Sequence, residues 1–512
     1  MRVRFLQRTR NRRTEQVLPA GLQIDVVQYS KSVYGGCDRA EIEIRGNEDR
    51  LLELMNTLRC GVEIYDEKGN AVWWGFVQRV EVPRDKVMVV ADLEELSNKV
   101  AVAYNLISAG GNTVGLRRTS PWIADEDSLA KFGVKELLES GGSMSSVEAV
   151  TMATRLRNAM AFPRLYVVEG DDEAVAKIEC LGWWHTLGWR YCFVPTELAL
   201  SFQTVGSASV ELREGVKVAQ TFKATSDINL AEIELFVHKV GGPGNINITL
   251  NHVGEDGKPG GQIRHAVLDS HNIKTEADWV RCVMNETVVL KPKKSYFLVI
   301  ESAWSPEGNY QVISLDPNNG YGDGTFYEFI EDEWVETEKD MPFRLYNNVL
   351  TETSQQIQNY LTDSGQFFSG VFINDRSGHY AESYRSGDTT ALTEAESLLE
   401  VGTSNYRRLL ARVAADMAVE VWEEPEEPIK PDLEMRPDGR VYFRAGNFVG
   451  EHFDPTGKWV SIEPVVLGNL GNATFTGAQS FFCDAVEWTP DEGMTLTPAN
   501  WRNPLDLRIK NG

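Results

Sequence analysis

Trp304, Tyr310, Tyr327 and Trp334 fall in or beside turn-rich stretches between short alternating segments. An indole or phenol ring presented from a loop can stack on the apolar face of a sugar ring, so these four are candidate glycan-binding residues. Rings beside Gly and Asn also anchor hairpins and fill the ends of a β-sandwich, and that role is open to the same residues. Between them runs Asp316-Pro317-Asn318-Asn319-Gly320-Tyr321-Gly322-Asp323-Gly324. Asp316, Asn318 and Asp323 supply oxygen ligands at positions reminiscent of a calcium loop, but Tyr327 stands at the twelfth position, where a bidentate carboxylate is expected, and Glu328 comes one residue late. Turn formation accounts for the same Asp, Asn and Gly residues, so no metal or other cofactor is expected.

Signatures of catalysis are missing from the sequence. It contains no H-E-x-x-H, no G-x-S-x-G, no P-loop and no Rossmann glycine pattern. The seven histidines are scattered, with His185, His379 and His452 isolated. Six cysteines, Cys37, Cys60, Cys180, Cys192, Cys282 and Cys483, are spread over the whole length with no C-x-x-C pair, the pattern of reduced thiols in a cytoplasm-assembled protein. No catalytic residue is therefore named and no enzyme is expected. Glycoside hydrolysis is the one chemistry whose two carboxylates are defined by spatial separation rather than by spacing, and it stays open as an alternative.

Charge narrows the partners. The 512 residues carry 51 Lys and Arg against 75 Asp and Glu, a net charge of −24, which disfavours nucleic acid as a partner. The exception is a cluster of Arg2, Arg4, Arg8, Arg10, Arg12 and Arg13, read as an arm whose arginines pair with an acidic neighbouring subunit. No run approaches 18 apolar residues, so no membrane-spanning helix is expected, and the N-terminal stretch lacks the apolar segment of a secretory signal.

The length implies several domains. Leu22, Ile24 and Val26, then Ala40, Ile42 and Ile44, alternate with polar neighbours as half-buried strands do, and Asp66 to Asn70 is a turn between Val62–Tyr65 and Ala71–Val77. A first small β-barrel is expected over 1–105. A mixed region over 106–200 should hold helices over Asp127–Glu139 and Ser146–Met160, the second capped by Ser145 and Glu148, followed by strand around Trp183, Trp184 and Trp189. Residues 201–347 read as an inserted jelly-roll β-sandwich, with Ile233, Leu235 and Val237 and then Ile246, Ile248 and Leu250 facing its core. Helical and mixed structure resumes over 348–420, with helices at Thr353–Leu361, from Thr393 to before Gly402, and over Asn405–Met417. After the proline-rich Trp422–Pro431, residues 421–512 read as a second small β-barrel. The expected fold class is mainly β with α+β parts: two small β-barrels flanking a helical or mixed region, with the sandwich inserted.

Several segments carry a resemblance. Ser128-Leu129-Ala130-Lys131-Phe132-Gly133, Glu148-Ala149, Gly182-Trp183-Trp184-His185-Thr186-Leu187 with Trp189-Arg190-Tyr191, Tyr384-Arg385-Ser386-Gly387-Asp388 and Arg407-Arg408-Leu409-Leu410-Ala411 resemble tail-tip baseplate hub proteins of tailed bacteriophages. Gln220-Thr221-Phe222, Gly257-Lys258-Pro259-Gly260, Tyr296-Phe297-Leu298-Val299 and Phe343-Arg344-Leu345-Tyr346 look like a jelly-roll module similar to carbohydrate-binding domains. The resemblance implies a virion structural protein of the tail tip, assembled in the host cytoplasm as a homo-oligomer, a trimer, that closes the tail tube and meets other tail-tip proteins. The sandwich would then contribute adhesion to host-surface glycan. The reading from another class is a surface glycan-binding protein or glycoside hydrolase built around the sandwich.

Overall fold

The computed structural model describes residues 1–9, 12–107, 113–170, 175–426, 433–435, 441–443, 454–462, 479–491 and 493–499. The fold is mainly β. Strands β1 (Arg2–Thr9), β2 (Arg12–Gln16), β3 (Gln23–Ser32), β4 (Tyr34–Arg45), β5 (Gly61–Tyr65), β6 (Ala71–Arg84) and β7 (Val87–Asp92) build the first part of a curved, half-closed antiparallel sheet. The Asp66–Asn70 turn closes as the sequence predicts, with the Asp66 amide donating to the Asn70 carbonyl at 2.9 Å and Gly69 at positive φ. Ile42, Ile44, Val62 and Ile64 point into one buried core, as their alternation requires, and a register shift at Gln78 brings both Val77 and Val80 into it.

The next four strands are β8 (Lys99–Ile107), β9 (Thr113–Thr119), β10 (Ile123–Ala124) and β11 (Glu136–Met144), and they form a small separate sheet. Then β12 (Arg164–Glu169) pairs with β7 at the margin of the half-barrel, and β13 (Val175–Gly182) enters its middle between β4 and β6. The half-barrel is thus completed by residues beyond the expected 1–105 segment. Glycine makes that entry sterically feasible. A Cβ on Gly182 would sit 1.7 Å from the Cys37 carbonyl oxygen, and one on Gly75 would sit 2.2 Å from the Leu181 carbonyl oxygen.

Three expected elements are corrected. The helix foreseen over Asp127–Glu139 is α2 of the five described helices, which follows α1 (Glu48–Leu52), spans Glu126–Phe132 and stops at Gly133 with φ 85°. Beyond it the chain becomes β11, parallel to β8. The strand foreseen around the tryptophans ends at Gly182, and Trp183–Trp189 form a 3-10 turn that buries all three indoles. The helix foreseen over Asn405–Met417 is a strand, Leu409–Val413, antiparallel to Ala418–Glu423. Leu409, Ala411 and Val413 face one core while Leu410 faces another, so both sides are apolar and no alternation shows.

Helices elsewhere follow their signals. Helix α3 (Ser146–Met160) begins with the Ser145 side chain accepting from the Glu148 amide while the Glu148 carboxylate accepts from the Ser145 amide at 2.8 Å. Helix α4 (Thr353–Ser364) and α5 (Ala391–Val401) pack with the Trp183–Trp189 turn around Phe76, Phe367 and Leu398.

Strands between Glu197–Phe202 and Phe343–Asn347 make a two-sheet antiparallel sandwich with its own core, which includes Ile233, Leu235, Ile248, Leu298, Phe326 and Phe343. It docks on the rest of the chain through polar contacts. Glu382 accepts from Asn348 Nδ2 at 2.8 Å, from Asn229 Nδ2 at 3.3 Å and from the Thr287 hydroxyl, and Thr196 donates to Glu232 at 2.6 Å. The second barrel expected over 421–512 lies largely outside the described residues. Of its described strands, Gln479–Thr489 pairs with β3, and Trp488 stacks on Tyr29 at 5.3 Å.

Candidate functional site

The four candidate aromatics lie on different parts of the sandwich. Trp304 is 61% exposed in the loop after Ser295–Ser302, where its carbonyl accepts from the Gly244 amide at 2.7 Å. Tyr310 opens Tyr310–Leu315, a strand of the sheet that carries Ile228–Val240, with the Arg213 guanidinium 4.0 Å above its ring. Tyr327 and Trp334 belong to the other sheet, on the terminal hairpin Phe326–Ile330 and Glu333–Thr337. Two loop-end residues and two sheet-face residues are therefore separate features.

The hairpin pair is the better built. Residues two apart on a strand share a face, so Tyr327 and Phe329 point the same way, and the partners opposite them, Glu336 and Trp334, join them. Tyr327 meets the buried Phe297 edge-to-face at 5.4 Å, and Phe329 packs on Trp334 at 5.1 Å. Asn251 stands opposite Phe297 in the register, donating to the Gly260 carbonyl at 2.8 Å while its Oδ1 has no partner among the described residues. The result is a half-buried aromatic strip on the sheet that does not carry Asn229 or Glu232. Burial and the neighbouring Glu336 and Asp256 raise the Tyr327 phenol above its ordinary value, so it stays a neutral hydrogen-bonding group. Phe297 belongs to an apolar run suited to the sandwich core and is buried there, while Phe329 escapes notice in the sequence although it stands at i, i+2 from Tyr327.

The cation loop does not assemble. The Asp316 carboxylate turns back to accept from the Asn318 backbone amide at 3.0 Å and from its side-chain Nδ2 at 3.1 Å, and Asp323 is exposed. No group of three His, Cys, Asp or Glu side chains among the described residues is placed to hold a metal. Asp316 instead faces Asp340, from which it accepts and to which it donates a backbone hydrogen bond. Both carboxylates are buried, which closes this pair to a sugar substrate.

Other reactive groups are occupied. His185, isolated in the sequence, pairs with Asp38 at 2.7 Å, and Asp38 also accepts from Ser30 at 3.2 Å. The bond to His185 is the main cause holding the Asp38 carboxyl below its usual range. His452 lies outside the described residues. All six cysteines are buried and free, and burial pushes their thiols up, Cys60 and Cys192 to about 11 and Cys37, Cys282 and Cys483 to about 12. Such thiols are poor nucleophiles at neutral pH. A cavity between β3, β4 and Ala411–Ala415 contains Lys31, held by Asp454 at 2.5 Å over the Trp74 ring.

No helix among the described residues is long and apolar enough to cross a membrane. No family model matches the chain, and no curated protein matches it. Among solved structures it is similar to a glycoside hydrolase family 43 arabinoxylan arabinofuranohydrolase from Bacillus subtilis in complex with cellotetraose, at 8% identity over 54% of this chain and 63% of that one, with a TM-score of 0.14. This chain thus spans less than two thirds of that enzyme. It is also similar to the protein of infectious bursal virus-derived T=1 particles, at 10% identity over 66% of this chain and 77% of that one, and to that of infectious bursal disease virus Gx strain, at 11% identity over 66% and 80%, both with a TM-score of 0.16. At these scores neither a common fold nor an activity carries over to this chain.

Proposed function

We propose that this chain is a structural subunit of a bacteriophage tail tip, a baseplate hub-like protein that assembles into a ring closing the tail tube, with the sandwich turned toward the host surface. The observation that carries the reading is the interleaving of the chain. β13 returns into the centre of the half-barrel, the Trp183–Trp189 turn that follows it joins α4 and α5 in one core, and the sandwich loops out with a core of its own. A scaffold with a separately cored projection suits a ring component that carries a contact module. The chemistry of such a subunit is contact rather than turnover. Reconstruction of a phage particle containing this chain tests the reading: density for the half-barrel in a ring at the distal tube supports it, and absence of the chain from purified particles contradicts it.

A second reading, a surface glycan-binding protein, is favoured by the strip of Tyr327, Phe329 and Trp334. The full chain on a glycan array should then bind, and Trp334→Ala should weaken binding by about 1 to 3 kcal/mol, the scale of a lost aromatic anchor. An array with no bound glycan leaves the sandwich as a spacer or a protein-docking surface.

A further inference from the structure

Strand β12 is apolar and solvent-exposed along its length. Its sequence is Arg-Leu-Tyr-Val-Val-Glu, and all six residues are exposed, Leu165 by 68% and Val167 by 61%. One edge pairs with β7, from Arg164 opposite Asp92 to Glu169 opposite Val87, and the other has no strand partner among the described residues. Even Tyr166 and Val168, which stand opposite the buried Val90 and Met88, are about two-fifths exposed, so the strand overhangs the core it borders. Proteins ordinarily protect such an edge with charge, proline or a covering element, because unpaired amides and carbonyls flanked by apolar side chains accept another strand. Here the charges stand only at the two ends.

The surroundings of the strand select the partner. Asp92, Glu94 and Glu95 line a groove beside Arg164 and Tyr166, where Glu95 holds Arg164 at 3.2 Å, Asp92 is mostly buried with Arg79 4.0 Å away, and Glu94 and Glu95 are exposed. At the opposite margin of the same sheet, the β1–β2 hairpin is strongly basic: its strands contain Arg2, Arg4, Arg8, Arg12 and Arg13 against the single acid Glu15. β2 is hydrogen-bonded to β1, and its far edge likewise has no strand partner among the described residues. One copy therefore presents an apolar edge beside an acidic groove, and has elsewhere a free strand edge of similar length in an arginine-rich sequence.

We propose that β12 is a subunit interface occupied by the β1–β2 hairpin of a second copy of this chain, the free edge of β2 adding to the free edge of β12 while hairpin arginines meet the exposed Glu94 and Glu95. The two patches differ, so the contact is head-to-tail and each copy keeps one patch of each kind for the next; closure after a few copies gives a ring. The charge pairing sets orientation and the apolar strand supplies the buried area. This inference rests on the ring reading above and names the surface that forms the ring.

Light scattering on the full chain, coupled to a cross-linking pair, tests it. Leu165 and Val167 are exposed, so Leu165→Asp with Val167→Asp should leave the circular dichroism spectrum of the folded chain unchanged and raise the dissociation constant of the oligomer by about 100-fold or more, the loss expected of central interface anchors. Thr14 is exposed and the native cysteines are buried, so Thr14→Cys with Val167→Cys should give chains disulfide-linked to one another under mild oxidation, while either change alone should not. If the double aspartate variant keeps the oligomer mass of the wild type and the cysteine pair does not link, the ring reading stands and this interface is wrong. Linking by Val167→Cys alone also overturns it, since that result places two β12 strands against each other. A wild type that remains monomeric at high concentration overturns the interface together with the ring.

Discussion

Glu197 and Asn347 stand directly opposite each other in an antiparallel pair, so the chain enters and leaves the sandwich side by side. Opposed residues in such a ladder have Cα atoms only about 5 Å apart, which a linker of two or three residues spans. Excising Glu197 through Asn347 and joining the flanks should leave the half-barrel, the small β8–β11 sheet and the helices folded. Stability should fall by about 1 to 3 kcal/mol, because Glu382 loses its contacts to Asn229 and Thr287. Circular dichroism and light scattering check this; a chain that precipitates or loses its oligomer mass would make the sandwich part of the scaffold.

Arg408 ties the middle of the chain to its C-terminal strands. It donates to Asp484 through both terminal nitrogens, at 3.1 and 2.6 Å, and to the fully buried Glu424 at 3.0 Å. Replacing it with Met leaves a buried carboxylate without its cation, and the expected cost is about 3 to 5 kcal/mol. Adding Glu424→Gln to Arg408→Met should recover part of that loss. Denaturant titration of the single and double variants measures both effects.

At Gly182 the close approach is to backbone, which no side-chain rotation relieves. Gly182→Ala should push β13 away from β4 and abolish soluble expression or cost more than about 4 kcal/mol, in the range reserved for severe steric conflict. Gly69→Ala, at a turn with open space around its Cβ, should cost only about 1 kcal/mol through its positive φ. The contrast between the two melting temperatures is the readout.

The buried Asp340, bridged to Asp316, gives the sandwich a pH dependence of known sign. Burial raises the Asp340 carboxyl above the ordinary carboxylate range, against the bonds it accepts from Tyr321 at 2.8 Å and Gln220 at 3.1 Å, and repulsion from Asp316 adds the smallest part. A raised folded pKa means that this group's contribution is fully present below about pH 4, the unfolded value, and is lost as pH rises through the folded one. Asp316→Asn removes the repulsion and should flatten that decline. Asp340→Asn replaces one of two accepting oxygens by a donor and should cost about 1 to 3 kcal/mol. Denaturant melts at a series of pH values from 4 to 7 follow both variants, and an unchanged slope in Asp316→Asn would refute the coupling.

Local signals were legible in the sequence wherever apolar and polar residues alternate or a cap or turn is spelled out. Ile233, Leu235 and Val237 alternate and are buried, Ser145 and Glu148 cap α3, and Asp66–Asn70 turns as its residues demand. Where both faces are covered, as at Leu409–Val413, a short apolar run reads equally as helix or strand, and the wrong element was predicted. The entry of β13 between β4 and β6 is a pairing across more than a hundred residues, which no local pattern encodes. Among the site residues, Tyr327 and Trp334 were visible as aromatics in turn-rich sequence. Their separation from Trp304 and Tyr310 depends on which sheet each strand joins, and the pairing of Asp316 with Asp340 on a bridge between distant loops.

If this chain works as a ring-forming structural subunit, native mass spectrometry of the purified protein should show a closed oligomer of defined stoichiometry, three copies, that persists on dilution into the low micromolar range. A single species at the 57.4 kDa mass of one chain at every concentration would contradict it.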